Sequence, residues 1–181
     1  MQNLKSLNPT NATGKTKQIF DSLEKNLGTV PNLMRTLASS PAALNAYMAF
    51  DAALGESKIP ASLREQIAIT VANVNTCDYC LSAHNALGKL AGLSLDDLSL
   101  AQNAQARDPK VGVALRFAAA IVQKRGLLNA SDIETMHDAG YSDGEITEII
   151  AVVAVNIFTN YFNHIAGTEI DFPVVKSTPA R

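Results

Sequence analysis

Two cysteines stand three residues apart in Cys77-Asp78-Tyr79-Cys80, and they are the only two in a chain of 181 residues. His84 follows Cys80 by four positions, and Glu65 precedes Cys77 by twelve. Thiols at this spacing can form a disulfide, carry electrons or bind a metal. A bridge between them would enclose too short a loop to restrain the unfolded chain much. The pair therefore points to redox chemistry or metal binding rather than to stabilisation of the fold. An imidazole four residues past Cys80 shares its helix face and can hold or remove its proton.

These groups meet only if the backbone between them breaks. Asn73, Asn75 and Thr76 are poor interior helix residues, and Thr76 is a good N-cap. The sequence thus predicts a helix ending near residue 75 and a new one starting at Cys77. Both thiols then lie in a first turn, where free backbone N–H groups and the helix dipole favour a thiolate. On one straight helix Glu65 would lie roughly 18 Å from Cys77, too far for chemistry. If the chain reverses at the break, Glu65 falls level with His84 instead. A line of Glu65, His84, Cys80 and Cys77 follows, with carboxylate as orienter, imidazole as base and thiol as nucleophile. The dipole favours Cys77 as the attacking thiol and His84 favours Cys80. Because a base can also deliver a proton to a leaving oxygen, Cys80 is the expected attacker. Glu65 has a second reading, as the third helical residue of a capping box begun by Ser62.

The elements that must position these residues read as helices throughout, at roughly 14–27, 41–55, 60–74, 77–91, 95–104, 109–125, 131–139 and 143–166. Capping-box patterns occur at Ser62/Glu65, Ser94/Asp97, Ser131/Glu134 and Ser142/Glu145. Pro9, Pro31, Pro41, Pro60 and Pro109 fall at or just before helix starts, and Gly92 and Gly140 where helices end. Ile149 to Val155 is rich in β-branched residues, but the capping pattern before it and the apolar pattern after it favour a helix apolar on most faces. An offset of 83 residues pairs Glu65 with Glu148, Ile67 with Ile150, Ala68 with Ala151, Asn73 with Asn156 and Thr76 with Thr159. The second copy has Asn160 and Asn163 in place of Cys77 and Cys80. This pattern describes a duplicated helical hairpin with chemistry in one copy. The tail, 172–181, reads as irregular.

Length and composition are those of one globular domain spanning 1–181: 47% hydrophobic residues, 18% charged, and a net charge of −2. No basic run offers the footprint of a nucleic-acid partner or an anionic membrane. The N-terminus lacks the apolar stretch of a secretory signal. The most apolar run, Ile149 to Phe158, has ten residues against the roughly 20 that span a bilayer. The chain is expected to be cytoplasmic, with no membrane partner.

Other readings of the same residues remain open at this point. Cys77, Cys80 and His84 could be zinc ligands completed by Glu65, His137 or His164, or the thiols could be buried and inert. His137 suits a helix C-terminus, and His164 a structural or subunit contact.

The pattern Glu65, Cys77-Asp78-Tyr79-Cys80, His84 resembles the signature of the AhpD-like alkylhydroperoxidases of the carboxymuconolactone decarboxylase superfamily, most strongly over 59–92. The resemblance implies an all-α AhpD-like fold and reduction of hydroperoxides by a cysteine pair, with no haem, flavin or metal cofactor. It implies Cys80 as peroxidatic thiol, Cys77 as resolving thiol, and Glu65 and His84 as proton relay. It also implies a homo-oligomer, trimer or hexamer, and a dithiol reductant on a lipoyl-bearing or thioredoxin-like protein. The founding enzymes carry histidine before the second cysteine, where this chain has Tyr79; a tyrosine there can exchange hydrogen bonds but is a poor base near neutral pH. The match is closest to the peroxidase-related branch, and the decarboxylase relatives use a different site.

Overall fold

A computed structural model describes residues 2–178. After a 3-10 turn at Pro9–Asn11 come nine helices among the described residues. They are α1 (Gly14–Leu27), α2 (Asn32–Leu37), α3 (Pro41–Gly55), α4 (Ala61–Val74), α5 (Asp78–Leu90), α6 (Leu95–Gln102), α7 (Pro109–Gln123), α8 (Ala130–Asp138) and α9 (Asp143–Ala166). The described residues contain no strand. The β-branched run from Ile149 to Val155 is helical, inside α9. Helix α2 was not anticipated; at six residues it is too short for apolar periodicity to register.

The helix starts follow local chemistry. Ser94/Asp97 and Ser142/Glu145 form reciprocal capping boxes. The box of α8 lies two residues earlier than expected, on Asn129 and Asp132 rather than Ser131 and Glu134. The Ser62/Glu65 box does not form. Pro60 is the N-cap of α4, so the helix is already under way at Ser62, and Glu65 is left free for another partner.

Helix α4 is the hub. Every residue from Gln66 to Asn73 is buried, because α5, α6, α7 and α9 pack around it. Burying each Ile or Val side chain there contributes about 1.5–3 kcal/mol. Helix α9 is long and apolar enough to cross a membrane, with a mean hydropathy of 1.4 over its best 18 residues. Half of that window is buried, and α9 packs on α3, α4, α5 and α7 as a core helix.

The expected duplicated hairpin is not present. The first copy bends between α4 and α5, but α9 runs unbroken through Thr159, Asn160 and Asn163. Its polar residues bond back along the helix, with Asn156 Nδ2 donating to Val152 O (2.8 Å) and Thr159 Oγ1 to Asn156 O (3.0 Å). The tail is irregular as far as it is described, yet it is tied down; residues 179–181 lie outside the described residues. Ser177 N and Oγ donate to Asp78 Oδ1 (2.9 and 2.8 Å), Val175 N to Ser82 Oγ (2.9 Å) and Thr178 N to Asn73 Oδ1 (2.9 Å). It straps the bend from which the two thiols project.

Candidate active site

The bend is made by three residues. Asn75 caps α4, Thr76 takes the left-handed conformation (φ 55°), and Cys77 is extended. A threonine in that region is strained by about 1–2 kcal/mol. Its hydroxyl donates to Asn75 O at 2.7 Å, which holds the turn. Because Thr76 takes the left-handed position, the next residue becomes the cap. Thr76 is therefore not the N-cap of α5; Cys77 is, and its Sγ accepts from Cys80 N at 3.4 Å.

The reversal brings Glu65 back beside α5, level with His84. Glu65 Oε2 and His84 Nδ1 are 2.9 Å apart, with side chains 21% and 20% exposed. One turn further along, Gly88 lets the helices approach. A Cβ there would lie 2.7 Å from Leu98 Cδ2 and 3.8 Å from Glu65 Cβ.

Both cysteines are free thiols, each 2% exposed. The Cys80 sulfur accepts from Asn163 Nδ2 at 3.1 Å. The hydrogen bond to Cys80, followed by burial, pushes the Cys77 thiol far above its ordinary range. For Cys80 burial also acts upward, but it is outweighed. The hydrogen bond from Cys77, the His84 charge, and the carboxamides of Asn163 and Asn160 bring its pKa down to about 6. Burial would lower the His84 pKa; the Glu65 charge and hydrogen bond override it and raise it. With Glu65 on Nδ1, the Nε2 of His84 is the nitrogen left to exchange a proton. Near neutral pH this arrangement favours a thiolate at Cys80, and it shifts His84 toward its protonated form.

A cavity of about 170 Å3 adjoins the Glu65–His84 pair. Its polar wall is Asp51, Arg64, Glu65, His84 and Asn156, and its apolar wall includes Ala68, Val152 and Val155. A second cavity, about 270 Å3, opens beside Cys77 and Asn163. Tyr79 does not serve the thiols. Its hydroxyl accepts from Leu33 N at 3.0 Å and its ring packs edge-on against Phe172, so it fastens α5 to α2. Burial raises its pKa above the ordinary tyrosine value.

The histidines considered as further ligands lie elsewhere. His137 Nε2 is 2.8 Å from Asp143 Oδ1, and His164 Nε2 is 2.9 Å from Asn75 O. Among the described residues, no three His, Cys, Asp or Glu side chains converge to hold a metal. The residues that sequence reasoning missed are Asp51 on α3 and Asn160 and Asn163 on α9. The 83-residue offset was the available signal for the asparagines, since it paired Asn163 with the cysteine it contacts. Two polar atoms there have no partner among the described residues, Asn160 Nδ2 and Asn163 Oδ1. Leaving a buried polar atom unpaired costs about 1–3 kcal/mol, so both call for an explanation.

Residues 41–124 match the carboxymuconolactone decarboxylase family. No curated protein matches the chain. Among solved structures, a peroxidase-related protein with an alkylhydroperoxidase AhpD core from Ralstonia eutropha JMP134 superposes with a TM-score of 0.87 at 22% identity, over 94% of this chain and 92% of that one. A peroxidase-related protein from Silicibacter sp. TM1040 gives 0.77 at 28% identity, over 93% and 94%. A variant of the debrominase Bmp8 in complex with 2,3,4-tribromopyrrole gives 0.81 at 22% identity, over 94% and 92%. The fold is AhpD-like, and it serves more than one chemistry.

Proposed function

We propose that this chain, whose residues 41–124 match the carboxymuconolactone decarboxylase family and whose fold is AhpD-like, is a thiol-dependent peroxidase reducing hydroperoxides in the cytoplasm. The single observation behind this reading is the Glu65–His84 pair at 2.9 Å, carried on the same helix as Cys80 and one turn beyond it, where the imidazole charge helps to lower the pKa of the Cys80 thiol. The Cys80 thiolate attacks the peroxide oxygen. An S–O bond forms, the O–O bond breaks, and the leaving alkoxide takes the His84 proton. Cys77 then condenses with the Cys80 sulfenic acid, releasing water and forming the disulfide. A dithiol partner, lipoyl-bearing or thioredoxin-like, reduces it by exchange.

Exposed Phe50 on α3 and exposed Phe158, Tyr161 and Ile165 on α9 fit a homo-oligomer, trimer or hexamer, that covers this face. The test of function is hydroperoxide consumption with dihydrolipoamide and with thioredoxin, side by side. Multiple turnovers are expected, and Cys80→Ser and Cys77→Ser should each abolish them. Wild-type turnover in the double Cys→Ser protein would end the proposal. The burial of both cysteines, each 2% exposed, favours a second reading, a redox-responsive or electron-relay protein. That reading predicts stoichiometric thiol oxidation without turnover, whatever dithiol is supplied.

A further inference from the structure

We propose that Asn160 and Asn163 of α9 form a carboxamide cradle for the Cys80 sulfur, Asn163 donating to its thiolate and the two amides together then holding the sulfenic acid made from it. The idea deepens the peroxidase reading and rests on it for the second step. Asn163 is 5% exposed, and its Nδ2 donates to Cys80 Sγ at 3.1 Å. A carboxamide N–H donates to a thiolate more strongly than to a thiol, because the acceptor carries charge. Asn160 is fully buried, and Asn75 Nδ2 donates to its Oδ1 at 2.9 Å, which fixes the amide. Both asparagines act in the direction of an ionised Cys80.

The two atoms without partners give the second half of the argument. Asn160 Nδ2 is a buried donor and Asn163 Oδ1 a buried acceptor, both without a partner among the described residues, on side chains three positions apart in α9, of which Asn163 bonds this sulfur. A thiol needs neither. A sulfenic acid, Cys80–S–O–H, brings an oxygen that accepts and a hydroxyl that donates, which is the matching pair. In the step that forms it, the sulfur loses two electrons to the peroxide. The O–O bond breaks, the transferred oxygen stays on sulfur with one proton, and the alkoxide leaves with the proton of His84. Holding that hydroxyl would keep the sulfenic acid from a second peroxide until Cys77 arrives.

The first measurement is the pH profile of Cys80 alkylation by iodoacetamide, located by mass spectrometry, in wild type and Asn163→Leu. It needs no peroxidase activity, so it separates failure of the cradle from failure of the peroxidase reading. The Asn163→Leu profile should move up by about one pH unit, making alkylation roughly tenfold slower near pH 5. If that variant does not fold, Asn163→Ala, which adds no bulk, is read in the same way. An unmoved profile in a folded variant overturns the proposal. The second measurement treats Cys77→Ser protein with one equivalent of hydroperoxide and traps the sulfenic acid with dimedone. Adding Asn160→Leu should lower the yield of trapped adduct and raise that of sulfinic acid; equal yields in the two proteins would overturn the sulfenic-acid half.

Discussion

Residues 65–80 and 148–163 share a pattern of side chains but not a path. In the first segment the chain breaks at Asn75 and Thr76 and doubles back; in the second it continues as one helix. The break makes a helix N-terminus at Cys77 and returns Glu65 to His84. The unbroken copy uses the corresponding glutamate differently. Glu148 Oε2 accepts from Lys58 N (3.0 Å) and Ile59 N (3.3 Å), holding the loop that leads into α4. Its Asn163, counterpart of Cys80, lies against Cys80 itself. One backbone turn thus separates a reactive segment from a supporting one, and the supporting segment faces the sulfur with amides.

That contrast can be broken in order of expected effect. His84→Gln removes the proton donor on the reactive side only, and peroxide turnover should fall by about 10^2–10^4. Its alkylation profile at Cys80 should also rise above the wild-type midpoint of about 6. A wild-type rate in this variant would place the proton source elsewhere.

The two glutamates should then separate activity from stability. Glu65→Gln is expected to slow turnover and raise the Cys80 midpoint. Its effect on stability depends on pH. Because Glu65 raises the folded pKa of His84 above the ordinary 6.5, the stabilisation is complete below that value and is lost as pH climbs through the folded pKa. The melting temperature of Glu65→Gln should thus drop more near pH 6 than near pH 9. Glu148→Gln weakens the acceptor for two backbone N–H groups and should destabilise by about 1–2 kcal/mol in urea unfolding, leaving the Cys80 midpoint unmoved. If the Glu148 variant moved that midpoint, the division of roles would fail.

Thr76→Gly should have the smallest effect. It relieves the left-handed strain but adds freedom to the unfolded chain and loses the hydroxyl bond to Asn75, so unfolding free energy should change by about 1 kcal/mol or less. A large loss would mean that the hydroxyl, rather than the backbone angle, sets the bend.

The sequence told most where local chemistry decides. Prolines and capping residues marked helix starts, and the Asn-rich stretch before Cys77 marked the bend that puts Glu65 beside His84. It misled where one local signal overrode another. Pro60 starts α4 two residues ahead of Ser62, and Cys77 rather than Thr76 caps α5 because Thr76 turns left-handed. Tyr79 was legible as a departure from the founding enzymes but not as an anchor to Leu33, since that contact joins residues 46 apart. The contact of Asn163 with Cys80 depends on α9 crossing α5, which no local pattern encodes.

The central claim is that oxidation begins at Cys80 and is resolved by Cys77. Mass spectrometry after one equivalent of hydroperoxide tests it directly, on wild type and on the two single Cys→Ser variants with dimedone present. The account predicts a Cys77–Cys80 disulfide in wild type, a dimedone adduct on Cys80 in Cys77→Ser, and a far slower reaction at Cys77 in Cys80→Ser. Adduct formation at Cys77 as fast as at Cys80, or thiols left unmodified in all three proteins, would contradict it.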